Sequence, residues 1–258
     1  SGMDLSSLTL VLSGMASASI GMRELPYVSA PLPLSGEGLP TARIAPGVLP
    51  CETLLVTGVR TENEMMRGEE TILLGLAADG LTDALVILPG THSKHVIIRK
   101  GLLESISTYL TGELFAVLRD HSVLRASLAP SPNPGPAFEC GVRDATCANL
   151  LHEFFALRAG SVLHGTPPEE NADRLSGLLI GTELRELTTG PVSDLPIVVA
   201  APEPLRSFYR SALECLGLAS RCQFVPDDAM ARAIPLGQRT ILEQAALRRS
   251  PTETGSST

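Results

Sequence analysis

The sequence has 258 residues, of which 44% are hydrophobic and 19% are charged, and its formal net charge is −8. This composition is typical of a globular protein with one large or two modest domains. The acidic balance leaves no basic face for a phosphate backbone, which argues against nucleic acid and anionic membranes as partners. No apolar run reaches the roughly 18 residues of a membrane span. The five cysteines lack C-x-x-C spacing and indicate the reduced thiols of a cytoplasmic protein.

Strand and helix patterns alternate along the chain, which indicates an α/β fold. The predicted strands are residues 8–12, 53–59, 84–89, 95–99, 105–110, 195–201 and 221–225. The predicted helices are residues 68–78, 111–120, 141–158, 171–187, 202–216 and 227–248, the last interrupted near Pro235. The apolar stripe of residues 150–157 is expected to lie in the core. Three antiparallel strands that merge into a parallel sheet fit one half of a ribonuclease-H-like architecture.

The stretch "LVILPGTHSKHVII", residues 85–98, predicts a hairpin of two apolar strands with a polar tip. The tip contains Gly90, Thr91, His92, Ser93 and Lys94. Glycine permits close backbone approach, successive amides and hydroxyls suit phosphate oxygens, and lysine supplies a positive charge. The tip is therefore a candidate phosphate-binding loop. From these residues alone, a polar β-turn with a solvated lysine explains the pattern equally well.

Five short motifs in register carry a resemblance to one family. They are "LSGMASASIGMRELPYVSAP" (12–31), "MRGEET" (66–71), "PGTHSK" (89–94), "TGEL" (111–114) and "LSGLLIG" (175–181). In this order they resemble 2-dehydro-3-deoxygalactonokinases, sugar-acid kinases of the actin, hexokinase and Hsp70 superfamily. The resemblance extends to about residue 242. It implies that ATP, with Mg²⁺, phosphorylates 2-dehydro-3-deoxy-D-galactonate to its 6-phosphate in galactonate catabolism.

The same resemblance implies two ribonuclease-H-like domains of the actin-like ATPase type, with ATP and the small sugar acid in the cleft between them. It divides the chain into a substrate-side domain, residues 1–83, and an ATP-side domain, residues 84–249. Residues 250–258 are predicted to be a disordered tail. No Asp-x-Gly-type first phosphate motif is present, so the first domain is expected to be incomplete and these 258 residues to turn over weakly or not at all. Association into a homo-oligomer is left open.

By resemblance, a catalytic base stands at the start of the helix predicted from residue 68. Glu69 is implied as the carboxylate that accepts the proton of the attacking sugar hydroxyl, with Glu70 a close second. From the residues alone, acidic side chains that stabilise a helix dipole are the alternative. Arg67 is expected to pair with the substrate carboxylate, since a guanidinium fork suits that group, or else to be solvated at the surface.

Two further sets of contacts follow from the resemblance. The substrate contacts are predicted in the first motif, at Gly14, Met15, Ser17 and Ser19. The alternative is that these residues form only a flexible turn. The adenosine contacts are predicted in the "LSGLLIG" motif and in the turn that follows the strand at 195–201: Gly177, Ala200, Ala201 and Pro202.

Two alternative functions compete with the kinase. A non-catalytic sugar- or nucleotide-binding regulator would bind without transfer. A hydrolase that uses Ser93 with His92 is disfavoured, because adjacent residues of a strand point to opposite faces. His92 and His95 have no cysteine or acidic residue nearby at zinc-ligand spacing, so no residue of the chain is predicted to ligate a metal.

Overall fold

The computed structural model describes residues 8–47, 49–188 and 194–248. These residues form two compact units. Unit 1 consists of the described residues within 8–83, 96–106 and 226–248, and unit 2 of those within 84–95 and 107–225. The predicted tail at 250–258 lies outside the described residues.

Unit 1 contains two small sheets. In the first, β1 (Thr9–Leu12) pairs in parallel with β5 (Glu52–Val56), and β4 (Thr41–Ile44) pairs antiparallel with β5 on the other side. In the second, β6 (Val59–Arg60) lies between β2 (Val28–Ser29) and β7 (Met65–Met66). The predicted strand at 53–59 is therefore split between β5 and β6.

Two helices of unit 1 pack with their backbones in contact. They are α1 (Glu69–Ala78) and α7 (Asp227–Leu247). A Cβ at Gly75 of α1 would lie 1.8 Å from the carbonyl oxygen of Ala233, and one at Gly237 of α7 would lie 1.9 Å from that of Thr71. Glycine at both positions allows this approach. The predicted interruption of the last helix is wrong, because α7 continues through Pro235.

The largest sheet has six strands in the order β12-β11-β8-β9-β10-β3. These strands are β3 (Leu32–Pro33), β8 (Ala84–Leu88), β9 (Ser93–Arg99), β10 (Leu102–Tyr109), β11 (Ile197–Val199) and β12 (Cys222–Phe224). β8, β11 and β12 are parallel neighbours, and every residue of β8 and β11 is buried. Continuous burial is typical of parallel strands covered on both faces, and it explains their unbroken apolar runs.

In the described residues of unit 2, five α-helices accompany the strands. They are α2 (Thr111–His121), α3 (Pro136–Asp144), α4 (Leu150–His164), α5 (Pro168–Leu184) and α6 (Leu205–Cys215). The helix predicted over 141–158 is two helices, because α3 ends at Asp144 and the Asn149 side chain caps α4 by accepting from the amide of Leu151. Leu157 is buried as expected, whereas the core prediction is wrong for Leu151 and Phe155, which are 81% and 66% exposed.

Candidate active site

The polar hairpin tip joins β8 to β9 and is packed against the first turn of α2. The amide of Glu113 donates to the carbonyl of Thr91 at 2.9 Å. A Cβ at Gly112 would lie 2.5 Å from the Gly90 carbonyl oxygen, so glycine is needed for α2 to approach the tip. The exposed His92 imidazole pairs with the Glu113 carboxylate. The tip is thus held by α2 while Thr91 and His92 stay exposed.

The structure divides the five predicted phosphate-binding residues into two groups. Gly90 is partly exposed and Thr91 and His92 are exposed, whereas Ser93 and Lys94 are buried at the start of β9. The Ser93 hydroxyl donates to Glu183 Oε1 at 2.7 Å, and the Lys94 ammonium donates to the carbonyl of His92 at 3.1 Å. Ser93 and His92 do not form a nucleophile–base pair, because the buried Ser93 hydroxyl donates to Glu183 while the exposed His92 imidazole pairs with Glu113. This geometry contradicts the hydrolase alternative.

A cavity of about 200 Å³ lies beside the tip, wholly within unit 2. Most of its wall is apolar, and four of its lining residues carry hydroxyl groups. Its lining comes from the tip, α2, α5 and α6, together with Ser131 and Pro204: Gly90, Thr111, Gly112, Phe115, Ser131, Ser176, Leu179, Ile180, Pro204, Leu205, Phe208 and Tyr209. An apolar pocket with a few convergent polar groups is the usual form of a small-molecule site.

The predicted adenosine contacts lie near this cavity in sequence but do not line it. Ala200 and Ala201 are buried at the end of β11, and Pro202 is exposed. Gly177 packs against α3, since a Cβ there would lie 2.0 Å from the carbonyl oxygen of Phe138. The lining residues are instead neighbours of the predicted ones, such as Ser176 and Pro204.

Sequence reasoning missed the contribution of α6 to the cavity. Leu205, Phe208 and Tyr209 recur at helical spacing and all three line the wall. Their i, i+3, i+4 pattern was a visible signal of one apolar face. The pattern alone does not distinguish a face that covers core from one that borders a cavity.

A second candidate site lies at the N-terminus of α1, in unit 1. Gly68 precedes the helix with φ of 117°, a conformation that favours glycine, and its amide donates to Glu70 Oε2 at 2.6 Å. Glu70 is fully buried, and this burial raises the pKa of its carboxyl from 4.5 to about 7. Glu69 is partly exposed, and its Oε2 accepts from the amide of Arg67 at 3.1 Å.

The loop of the first motif is brought against this helix start. A Cβ at Gly68 would lie 3.3 Å from the Cα of Gly14, so the two backbones are in close contact. Met15 and Ser19 are exposed, whereas Ser17 is buried and its hydroxyl donates to the carbonyl of Val56 at 2.6 Å. The structure therefore brings Gly14 against Gly68, the residue before the predicted base, and places Ser17 in the interior of unit 1.

Arg67, which lies just before α1, binds the loop of the first motif. Its guanidinium donates to the carbonyls of Ser17 and Leu25 at 2.7 and 3.0 Å, and it stacks 4.2 Å from the ring centre of Tyr27. Arg67 is thus not a solvated surface arginine. A direct contact with a substrate carboxylate stays a prediction.

Two features are absent from the part of the chain that the structure describes. No three His, Cys, Asp or Glu side chains converge there as metal ligands. No helix in that part is both long enough and apolar enough to cross a bilayer.

The mixed sheet and its helices form an α/β fold, and the cavity beside the hairpin tip is a candidate small-molecule site. The family model described as 2-keto-3-deoxy-galactonokinase matches residues 3–235. Because this match covers most of the chain, the protein belongs to the 2-keto-3-deoxy-galactonokinase family.

Individual relatives agree with this assignment. The chain is 35% identical to a protein of Rhizobium meliloti (strain 1021) described as 2-dehydro-3-deoxygalactonokinase DgoK1, over 91% of this chain and 79% of the relative. It is 32% identical to the 2-dehydro-3-deoxygalactonokinase of Escherichia coli (strain K12), over 81% of this chain and 71% of the relative. A crystal structure from Sinorhizobium meliloti, assigned to the same activity, superposes with a TM-score of 0.80 at 30% identity and covers 92% of this chain and 80% of that one.

Proposed function

We propose that the protein is a 2-dehydro-3-deoxygalactonokinase, which transfers the γ-phosphoryl group of ATP to 2-dehydro-3-deoxy-D-galactonate and forms the 6-phosphate. Family membership supports the reaction class. The observation that carries the proposal for this chain is the largely apolar cavity bordered by Gly90 of the hairpin tip. The base of a nucleotide needs apolar walls, and its phosphates need nearby amides. A nucleotide therefore suits both the cavity and the hairpin tip.

The residues of unit 2 fit ATP. Leu179, Ile180 and Phe208 offer apolar surface for the base. Gly90 and Thr91 lie where phosphate oxygens can approach the backbone, and the buried Ser93 and Lys94 follow them at the start of β9. Mg²⁺, when bound with ATP, neutralises charge on the phosphates. The predicted contacts at Gly177, Ala200 and Ala201 then act through the elements that they pack rather than at the cavity wall, and a contact with the exposed Pro202 stays a prediction.

In unit 1, Glu69 is proposed as the general base. Its carboxylate is partly exposed, as a group that meets a substrate hydroxyl must be, whereas Glu70 is enclosed. Glu69 accepts the proton of the attacking hydroxyl while the γ-phosphoryl group transfers. Gly14, Met15 and Ser19 border the sugar acid in this proposal, and Arg67 and Ser17 hold their loop in place.

The finer fold assignment is also proposed. The parallel neighbours β8, β11 and β12, followed in the sheet by β9 and β10, support a ribonuclease-H-like superfamily member. The division into domains at residues 1–83 and 84–249 and the cytoplasmic location stay predictions.

Sugar-acid-dependent formation of ADP tests the proposal. We expect ADP formation to require 2-dehydro-3-deoxy-D-galactonate, and Glu69→Gln to lower kcat by roughly 10²- to 10⁴-fold. Glu62→Gln, at an exposed glutamate of the same unit, is the matched control and is expected to leave kcat unchanged. ATP binding without any transfer would contradict the proposed activity of these 258 residues, and would agree both with the non-catalytic regulator and with the weak turnover expected from the lack of a first phosphate motif. If Glu69→Gln has the same kcat as the unsubstituted protein, Glu69 is not the general base.

A further inference from the structure

Unit 2 contains a buried carboxylate that the proposed chemistry does not use. Glu183, near the end of α5, is almost completely enclosed. Its Oε1 accepts hydrogen bonds from the Ser93 hydroxyl at 2.7 Å and from His95 Nε2 at 2.9 Å. Its Oε2 accepts from the Tyr209 hydroxyl at 2.8 Å and from the Thr111 hydroxyl. Four donors from four different side chains therefore converge on one carboxylate.

This convergence has a physical reason. A buried carboxylate is costly unless hydrogen bonds replace its lost water, and removing one partner leaves an uncompensated group. Burial, together with the nearby Glu183, raises the pKa of the Tyr209 phenol well above its ordinary value, so Tyr209 stays protonated and donates. The four hydrogen bonds thus offset the cost of burying this carboxylate.

Each donor belongs to an element that borders the proposed nucleotide site. Ser93 and His95 begin β9, directly after the hairpin tip. Thr111 begins α2 and precedes Gly112, which packs on Gly90. Tyr209 belongs to α6 and lines the cavity, as does Thr111. One side chain on α5 therefore ties the tip, the helix that supports it and the cavity wall together.

We propose that Glu183 is a positioning residue for the nucleotide, which sets the geometry of the hairpin tip relative to the cavity through Ser93, His95, Thr111 and Tyr209. The inference rests on the proposed nucleotide-binding function and goes beyond it by assigning nucleotide affinity to a residue that lies outside the cavity lining. Glutamine at this position keeps the size of the side chain but presents an amide N–H₂ to hydroxyl and imidazole donors. Residue 183 then no longer holds the hairpin tip and the cavity wall in a fixed relative position.

Calorimetric titration of Glu183→Gln with ATP, and separately with 2-dehydro-3-deoxy-D-galactonate, tests the inference. A hydrogen bond to a charged group corresponds to about a tenfold change in affinity, so we expect the Kd for ATP to rise about tenfold. The Kd for the sugar acid is expected to stay unchanged. Asp173→Asn is the matched control, since Asp173 is a buried carboxylate of the same helix that accepts from the amide of Gly135 at 3.0 Å. It is expected to alter stability without altering the Kd for ATP.

A second variant keeps the test decisive if Glu183→Gln does not fold. Thr111→Val removes one donor at a partly exposed position with little change of shape, and we expect the Kd for ATP to rise about fivefold. Folded Glu183→Gln or Thr111→Val with unchanged ATP affinity would overturn the inference, as would an equal loss of affinity in Asp173→Asn. If the unsubstituted chain binds no ATP, the proposed function itself fails. If the unsubstituted chain binds ATP and the variants bind equally well, only the role of Glu183 fails.

Discussion

Replacing Glu70 by glutamine is expected to stabilise the protein increasingly as the pH rises. Glu70 is fully buried at the start of α1, and burial raises the pKa of its carboxyl from 4.5 to about 7. The folded protein therefore retains a proton between pH 4.5 and 7 that the unfolded chain has already released. Because the folded state binds more protons in this window, the free energy of unfolding falls as pH rises through it.

The magnitude follows from the difference between the two pKa values. Above pH 7, ionisation of the buried carboxyl costs the folded state about 3 kcal/mol relative to the unfolded chain. Glutamine removes this cost, and its amide oxygen can still accept from the Gly68 amide. We therefore expect the free energy of unfolding of Glu70→Gln, minus that of the unsubstituted protein, to rise by roughly 2.5 kcal/mol between pH 5 and pH 8.

Urea unfolding at half-unit steps from pH 5 to pH 8 measures this difference directly. Glu62→Gln, at an exposed position, corrects for the removal of one negative charge. A difference between Glu70→Gln and the unsubstituted protein that does not change with pH would refute the reasoning. A difference that falls with pH would show that an interaction of the ionised carboxylate outweighs its burial.

The remaining predictions concern two glycines of unit 2. Gly177→Ala places a Cβ 2.0 Å from the Phe138 carbonyl oxygen, and we expect a loss of about 3 kcal/mol in urea unfolding with the ATP Kd of the folded protein unchanged. Gly47→Ala is the control, because the nearest atom to a Cβ there is 3.9 Å away. A weaker ATP affinity in folded Gly177→Ala would instead support the predicted contact of Gly177 with adenosine. Gly112→Ala places a Cβ 2.5 Å from the Gly90 carbonyl oxygen, so α2 must move from the hairpin tip and the Kd for ATP is expected to rise about tenfold in calorimetry. An unchanged Kd would show that contact with α2 is not needed for nucleotide binding.

Much of the secondary structure and the family could be predicted from the sequence, because both depend on short patterns. The strands on either side of the hairpin tip and the start of α1 near Gly68 follow from apolar runs and a glycine that stand together in the chain. The family motifs are likewise stretches of four to twenty residues that keep their order. Such signals need no knowledge of which distant segments meet.

The tertiary structure decided which side chains are enclosed and by what. Helical periodicity predicted Leu151 and Phe155 to lie in the core, whereas the packing of α4 leaves both exposed. The tertiary structure also decided that Gly177 serves helix packing and that Glu183 meets Ser93, which lies 90 residues away. A glutamate within a helical stretch carries no local sign of burial, because the donors that make its burial tolerable come from other elements.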